Sequence, residues 1–262
     1  MNTALLVVSF GTTDPEILNQ TIGGTEAFLS DAFPDAVLHR AFTSRIVRSR
    51  LERFHGIRVD DVPNALERIR GDGFTHVVIQ PTLLIPGVEY ERLLADAEQC
   101  REGLTVSVGM PLLSCEEDTE RMAELLRHAY PVQEGTSLLF LGHGSEQDHH
   151  IYEMLNRKLS GSAMGVCTME GSPTLSDGIR MMRDLGNPNV RLIPLLFVAG
   201  SHAKTHLVGS KPGSLRFLLE QDGFSVEPVL RGLGDLPEIR AWYAEKAKAA
   251  FRKWSPDKAV KG

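Results

Sequence analysis

Three side chains that can bind a divalent metal ion each follow a buried-looking apolar run in the second half of the sequence. His143 ends the run "LLFLGH", Glu170 ends "VCTME", and His202 follows "IPLLFVAGS". Two imidazoles and a carboxylate suit a first-row divalent cation and leave positions for water or substrate. The carboxyl ends of parallel strands meet at one edge of a sheet, where ligands bind. The pattern therefore predicts a metal site formed by His143, Glu170 and His202.

Glycines flank the first of these histidines. Gly142 and Gly144 lack a Cβ, so the backbone can turn sharply and a bulky ligand can come close. The ordinary alternative is a turn at a strand end with an incidental histidine. His206 lies four residues after His202, and on a helix the two would share a face and form a metal pair of their own. The sequence leaves both alternatives open.

Two arginines in "RAFTSRIVRSRLER" are candidates for binding an anionic ligand. Arg45 and Arg48 are three residues apart after a predicted strand, so on a helix they would face the same ligand. A ligand with several carboxylates would suit them. The alternative is a charged helix face that only contacts solvent.

The elements that must position these side chains follow a regular order. Eight short apolar runs alternate with nine amphipathic segments, of which the first long one covers residues 16–33. Strands that alternate with helices at this spacing predict an α/β fold, in which parallel sheets are flanked by helices.

The two halves of the chain resemble each other. The segment "LLVVSFGTT" from Leu5 aligns with "LLFLGHGSE" from Leu138, and "VVIQPTLLIPGVE" from Val77 aligns with "VRLIPLLFVAGSH" from Val190. Chance similarity between buried strands is the alternative explanation. The preferred interpretation is an internal duplication that gives two similar domains, residues 1–132 and 133–262. The C-terminal helix, at 237–253, is free to pack back on the first domain, or to contact another subunit in a homo-oligomer.

The alignment makes the two halves chemically unequal. It pairs Phe10 with His143, Glu89 with His202 and, more weakly, Thr43 with Glu170. One half then presents imidazole, carboxylate and imidazole, whereas the other presents an aromatic ring, a hydroxyl and a single carboxylate.

Composition narrows the class of protein. The 262 residues are 42% hydrophobic and carry a formal net charge of −6, which argues against a nucleic-acid partner. The sequence has no apolar run of the roughly 18 residues that a bilayer requires, so no membrane partner is expected. Three cysteines without CxxC spacing fit a reducing cytoplasm. The sequence has neither the phosphate-binding motif GxxxxGK(S/T) nor GxGxxG after a first strand, so no nucleotide is expected.

Six motifs occur in order between Leu5 and Trp242: "LLVVSFGTT", "IPGVEYERLL", "FLGHGSE", "CTMEGSP", "IPLLFVAGSHA" and "LRGLGDLPEIRAW". With them the chain resembles the class II tetrapyrrole chelatases, most closely the sirohydrochlorin cobaltochelatases of the CbiK family. The resemblance implies two similar α/β domains flanking a cleft that holds a metal-free tetrapyrrole.

The resemblance also assigns residues. It implies that His143, Glu170 and His202 match the family's metal-binding residues and that Glu89 matches a cleft carboxylate. We expect His143 and Glu89 to be catalytic, with His143 also the proton acceptor, and Phe10, Arg45 and Arg48 to contact the substrate. Relatives often have Gly-Asp-His-Ala where this chain has "GSHA", which leaves the role of His206 open.

The expected activity is ATP-independent insertion of Co²⁺ into sirohydrochlorin for anaerobic cobalamin biosynthesis, by a cytoplasmic metal chelatase of the lyase class. One alternative is a sirohydrochlorin ferrochelatase that makes sirohaem. The sequence does not rank Co²⁺ against Fe²⁺, because the same nitrogen and oxygen ligands accept both. The other alternative is a non-catalytic carrier of tetrapyrrole or metal.

Overall fold

The computed structural model describes residues 2–145, 150–200 and 213–254. The chain folds into two compact units: unit 1 is Met1–Ser114 with Gly234–Gly262, and unit 2 is Cys115–Leu233. Residues 234–254 therefore belong with the N-terminal part of the chain, and the segment after Ser114 belongs with unit 2. The boundary predicted between residues 132 and 133 separates the two similar halves of the sequence, and it stays a prediction.

Unit 1 contains a four-stranded parallel sheet of order β2-β1-β3-β4. Its strands are β1 (Thr3–Ser9), β2 (Ala36–Phe42), β3 (His76–Pro81) and β4 (Thr105–Val108). Its helices are α1 (Pro15–Ile17), a π-helical segment (Leu18–Gly23), α2 (Gly24–Ala32), α3 (Arg45–His55), α4 (Val62–Gly71), α5 (Val88–Gln99) and, far along the chain, α10 (Pro237–Trp254).

Unit 2 contains a second parallel sheet, of order β6-β5-β7-β8. Its strands are β5 (Thr136–Gly144), β6 (Met164–Glu170), β7 (Asn189–Pro194) and β8 (Ser225–Pro228). Its described helices are α6 (Glu116–Ala129), α7 (His150–Leu159), α8 (Leu175–Leu185) and α9 (Leu215–Gln221). A short 3₁₀ helix, Leu233–Asp235, follows β8. None of the helices in the described ranges is long and apolar enough to cross a bilayer.

Strand β1 shows why the central strands are almost wholly apolar. All seven of its residues are buried. Leu6 and Val8 join the core formed with α4 and α5, whereas Leu5 and Val7 join the core formed with α2 and α10. Successive side chains of a strand point to opposite faces, so a strand covered on both faces needs apolar residues at every position.

The two sheets share more than their strand order. Gly109 N donates to Ile79 O at 2.8 Å in unit 1, and Val229 N donates to Leu192 O at 2.9 Å in unit 2. Each bond joins the residue after a fourth strand to the third strand of the same sheet. The predicted α/β fold with two similar domains is confirmed.

The register corrects one pairing from the sequence alignment. If Phe10 aligns with His143, then Gly11 aligns with Gly144. Gly144 pairs with Glu170. In unit 1 the last β1–β2 pair is Ser9 with Phe42. Continuing that register places Phe10 level with Thr43 and Gly11 level with Ser44. The equivalent of Glu170 is therefore Ser44, and the predicted match with Thr43 is wrong by one residue. A shift of one residue moves a side chain to the other face of a sheet.

Candidate active site

His143 lies at the carboxyl end of β5, one residue before the strand ends. Its side chain is exposed, although the seven residues before it in the strand are buried. The Nδ1 atom is 3.3 Å from the Gly144 carbonyl oxygen. When Nδ1 carries the proton and donates to that oxygen, the lone pair of the neutral ring lies on Nε2, which is then the nitrogen that binds metal.

The two glycines beside His143 are required for different structural reasons. A Cβ on Gly142 would lie 2.6 Å from a ring carbon of Tyr152, so this glycine makes room for a side chain of α7. A Cβ on Gly144 would lie 1.8 Å from the Glu170 carbonyl oxygen, and Gly144 also has φ +81°. Gly144 is therefore required both for its backbone conformation and for the close approach of β5 and β6.

Glu170 is the last residue of β6 and is exposed. It pairs in register with Gly144, so its backbone lies beside the residue that follows His143. The structure thus brings His143 and Glu170 to the carboxyl ends of adjacent strands, at the same edge of the sheet. Beyond Glu170 the chain turns through Gly171, at φ +79°, and a cis Ser172–Pro173 bond before α8 begins.

His202 and His206 lie outside the described residues. The described range before these histidines ends at Gly200, six residues after the end of β7. The loop between β7 and Gly200 lies against Gly232. A Cβ on Gly232 would lie 2.5 Å from the Phe197 carbonyl oxygen, and Leu233 N donates to Leu196 O at 2.8 Å. Within the described ranges, no group of three His, Cys, Asp or Glu side chains is close enough to hold a metal ion. The three-ligand site therefore stays a prediction that depends on His202.

Glu89 lies in the first turn of α5, which begins after Gly87. A helix N-terminus favours a carboxylate there. Its Oε1 is 3.5 Å from Arg92 Nη1, whereas Oε2 is buried and has no hydrogen-bond partner among the described residues. The second oxygen therefore has acceptor capacity that no described group uses.

The loop that leads to Glu89 is held by the distant helix α10. Tyr243 is fully buried and donates its hydroxyl to Leu83 O at 3.2 Å. The same carbonyl accepts from Leu112 N at 3.2 Å. Burial raises the pKa of the Tyr243 phenol well above its usual value, so the hydroxyl keeps its proton as the donor.

Phe10 and Arg45 lie at the carboxyl edge of the unit 1 sheet. Phe10 follows β1 and is 41% exposed, which is unusual for a large aromatic residue. Ser44 N donates to Phe10 O at 3.4 Å, and Ser44 is the N-cap residue of α3, whose first residue is the exposed Arg45. The exposed Phe10 and the exposed Arg45 thus belong to backbone segments that are hydrogen-bonded to each other at this edge.

Arg48 already has a structural partner. Its Nη2 lies 3.0 Å from Asp61 Oδ2, and Asp61 is the N-cap residue of α4. Arg45 and Arg48 both line a surface groove of about 330 Å³ that Arg58 also borders. The predicted contact of Arg48 with substrate stays a prediction, and it would have to share this guanidinium with Asp61.

The backbone around Glu170 is supported by residues that the sequence did not reveal. Thr168 is 1% exposed, and both its N and its Oγ1 donate to Pro173 O, at 2.7 Å and 2.9 Å. Ser172 Oγ donates to Glu153 Oε1 at 3.0 Å. The proline in "MEGSP" is the only signal of a closed loop there, and nothing in the sequence pairs Glu153 with Ser172.

The chain is similar to known proteins over most of its length. Residues 3–252 match the family described as cobalt chelatase (CbiK). The chain is 33% identical over 250 residues to the sirohydrochlorin cobaltochelatase of Salmonella typhimurium LT2, covering 93% of this chain and 94% of the relative. It is 35% identical over 214 residues to the sirohydrochlorin cobaltochelatase CbiKC of Nitratidesulfovibrio vulgaris Hildenborough, covering 78% and 75%.

A solved structure shares the fold at much lower identity. SirB from Bacillus subtilis, determined with Fe³⁺, has a TM-score of 0.62 with this chain at 16% identity, covering 97% of this chain and 98% of the other. At that identity the likeness concerns the fold alone.

Proposed function

Because the chain belongs to the CbiK cobalt chelatase family, we propose that it inserts Co²⁺ into sirohydrochlorin and uses no nucleotide. The product, cobalt-sirohydrochlorin, would serve anaerobic cobalamin biosynthesis. One structural observation carries the proposal: His143 and Glu170 end adjacent strands at the same sheet edge, where Gly144 and Glu170 pair. This edge supplies two of the three predicted ligands in a chain that matches named cobaltochelatases over most of its length.

The metal ligands must hold Co²⁺ and then release it. Imidazole and carboxylate ligands hold Co²⁺ less tightly than thiolate ligands would, so the ion can pass to the four ring nitrogens. His143 would bind through Nε2 and Glu170 through its carboxylate, which lowers the net charge of the bound ion. His202 is the proposed third ligand.

Each inserted ion displaces two pyrrole protons, so the protein needs proton acceptors. Imidazole titrates near neutral pH and is a suitable acceptor once the ion has left it. A nitrogen that holds the metal cannot accept a proton at the same time, so His143 would act in sequence, first as ligand and then as base. Glu89 is the second candidate, because its Oε2 has no hydrogen-bond partner among the described residues.

The substrate combines an apolar ring system with several carboxylates. Phe10 and Arg45 are both exposed at one sheet edge, on backbone segments joined by the bond from Ser44 N to Phe10 O. The ring would contact the face of the macrocycle, and the guanidinium would pair with a carboxylate. This division of roles supports Phe10 and Arg45 as substrate-binding residues.

The proposal is tested by mixing the purified protein with sirohydrochlorin and Co²⁺ without oxygen and following the visible spectrum. We expect many turnovers per chain, release of two protons per ion, and a rate about 100-fold lower for His143→Ala, in line with the loss of a general base. A parallel reaction with Fe²⁺ compares the two metals. A wild-type rate equal to that of buffer would refute the proposed chelatase activity. A single stoichiometric complex without turnover would indicate a carrier.

A further inference from the structure

The strand that carries Glu170 lies at the edge of its sheet, where β5 is its one neighbour among the described strands. In a parallel sheet, alternate residues of an edge strand direct their backbone N–H and C=O groups outward, where no neighbouring strand accepts them. In β6 three such groups, Val166 N, Val166 O and Thr168 N, bond to helix α7 and to the loop after the strand.

Helix α7 completes the outer edge of β6 through a side chain. Asn156 Nδ2 donates to Val166 O at 2.8 Å, and Val166 N donates to Asn156 Oδ1 at 2.7 Å. The amide therefore replaces a neighbouring strand at this position. Two residues later the outward N–H of Thr168 donates to Pro173 O. Glu170, two residues further on, pairs instead with Gly144 of β5, and its carbonyl oxygen lies against that glycine.

A second contact from the same face of α7 holds the loop beyond Glu170. Glu153 is three residues before Asn156, so the two side chains share one helix face. Glu153 Oε1 accepts from Ser172 Oγ at 3.0 Å. Residues 168–173 are thus closed at their base by Thr168 and Pro173 and attached at their far side to α7, with Glu170 between these two points.

We propose that Thr168 and the Glu153–Ser172 pair are positioning residues that hold the backbone of Glu170 for metal binding. The inference rests on the proposed function, in which Glu170 binds Co²⁺. An exposed glutamate loses rotamer freedom when its side chain is ordered. When the backbone is already fixed, the bound ion has to order only the side chain of Glu170. Residues outside the ligand set that orient a ligand commonly change metal affinity 10- to 100-fold when they are replaced.

The test measures binding of Co²⁺ alone, by equilibrium dialysis of the full chain, so it does not depend on insertion activity. Thr168→Val keeps the shape of the buried side chain and removes only its hydroxyl donor. We expect its Kd for Co²⁺ to rise about 10-fold, with Thr168→Ser recovering most of the affinity. Ser172→Ala breaks the second tie from outside the core, and we expect a several-fold rise.

Thr119→Val is the matched control. Thr119 is a fully buried threonine of the same unit, and its Oγ1 donates to Glu116 O at 2.6 Å within α6. It undergoes the same chemical change away from the sheet edge, and we expect wild-type affinity for Co²⁺. Thermal unfolding of all variants separates loss of affinity from loss of fold.

The possible results are distinguishable. Weaker Co²⁺ binding by Thr168→Val and Ser172→Ala, with the control and Thr168→Ser near wild type, supports the inference. It is overturned if Ser172→Ala, together with Thr168→Val or a folded Thr168→Ala, binds Co²⁺ as wild type does, or if Glu170→Gln does so. If the variants bind Co²⁺ more weakly as expected but the wild type does not turn over sirohydrochlorin, only the proposed function is rejected.

Discussion

At the scale of single residues, Gly144 determines how closely His143 and Glu170 approach each other. Its backbone lies against that of β6, so any Cβ there would collide with the Glu170 carbonyl oxygen. The collision involves backbone atoms that cannot rotate away, unlike the ring of Tyr152 beside Gly142. Gly144 therefore controls the separation of two predicted metal ligands without itself binding anything.

We expect Gly144→Ala to abolish measurable Co²⁺ binding and to lower stability by more than the roughly 1 kcal/mol that a positive φ alone costs. Gly161→Ala is the matched control, because Gly161 also has φ +81° but no atom lies within 4 Å of the added Cβ. It should lose about 1 kcal/mol and keep its Co²⁺ affinity. Urea unfolding and equilibrium dialysis measure the two effects. Equal affinities in the two variants would show that the close approach is not needed.

At the scale of elements, the sequence predicted the ends of β5 and β6 better than the breaks within helices. The carboxyl ends of β5 and β6 follow from their apolar runs, so the placement of His143 and Glu170 was predictable. The segment 16–33, predicted as one helix, is instead divided into α1, a π-helical segment and α2.

A long-range contact accompanies this break. Arg240 of α10 donates through Nη2 to Gln20 O at 3.0 Å, and its guanidinium lies 2.7 Å from where a Cβ on Gly24 would be. Neither partner reveals the other in the sequence, because more than 200 residues separate them. The support of β6 by Asn156 was unpredictable for the same reason, since a side-chain amide there replaces a strand.

The packing of α4 against the edge strand β2 predicts a pH effect. His39 of β2 stacks edge-on with Phe74, and burial, followed by the charge of Arg68, lowers the pKa of its imidazole, although Asp72 and Asp60 oppose the shift. The folded protein therefore binds this proton more weakly than the unfolded chain. The stability contributed by neutral His39 is complete above the ordinary value of about 6.5 and is lost as the pH falls from there through the lower folded-state pKa.

We expect the wild type to lose more free energy of unfolding between pH 8 and pH 5 than His39→Gln, which cannot titrate there. His55→Gln is the matched substitution at an exposed position, at the end of α3. Urea unfolding at several pH values checks both. A His39→Gln variant with the wild-type slope would show that this imidazole is equally basic in the folded and unfolded states.

At the scale of the whole molecule, unit 1 is built from two distant parts of the sequence. Ala244, Ala247 and Ala250 of α10 pack in one core with Leu5 and Val7 of β1. The same helix buries Ile239, Trp242 and Tyr243 almost completely. Composition and periodicity identified α10 as amphipathic, but they did not show which surface it covers.

A chain that ends at residue 233 should therefore lose the fold of unit 1. Burial of each large side chain of α10 is worth roughly 1.5–3 kcal/mol, and its removal exposes one face of the central strand β1. We expect proteolysis within residues 2–114 and aggregation. A chain that ends at residue 254 keeps the described packing of α10 and should unfold at the wild-type temperature. Resistance of residues 2–114 to protease in the shorter chain would contradict this.

The position of α10 has a consequence for synthesis on the ribosome. The middle unit is continuous in sequence and can fold as soon as it has emerged, whereas the first unit synthesised must wait until the last helix has left the exit tunnel. During that interval the apolar face of β1 stays uncovered in the nascent polypeptide. Molecular chaperones that bind exposed apolar strands would therefore act on the earliest residues made, although most proteins fold from the N-terminal domain onward.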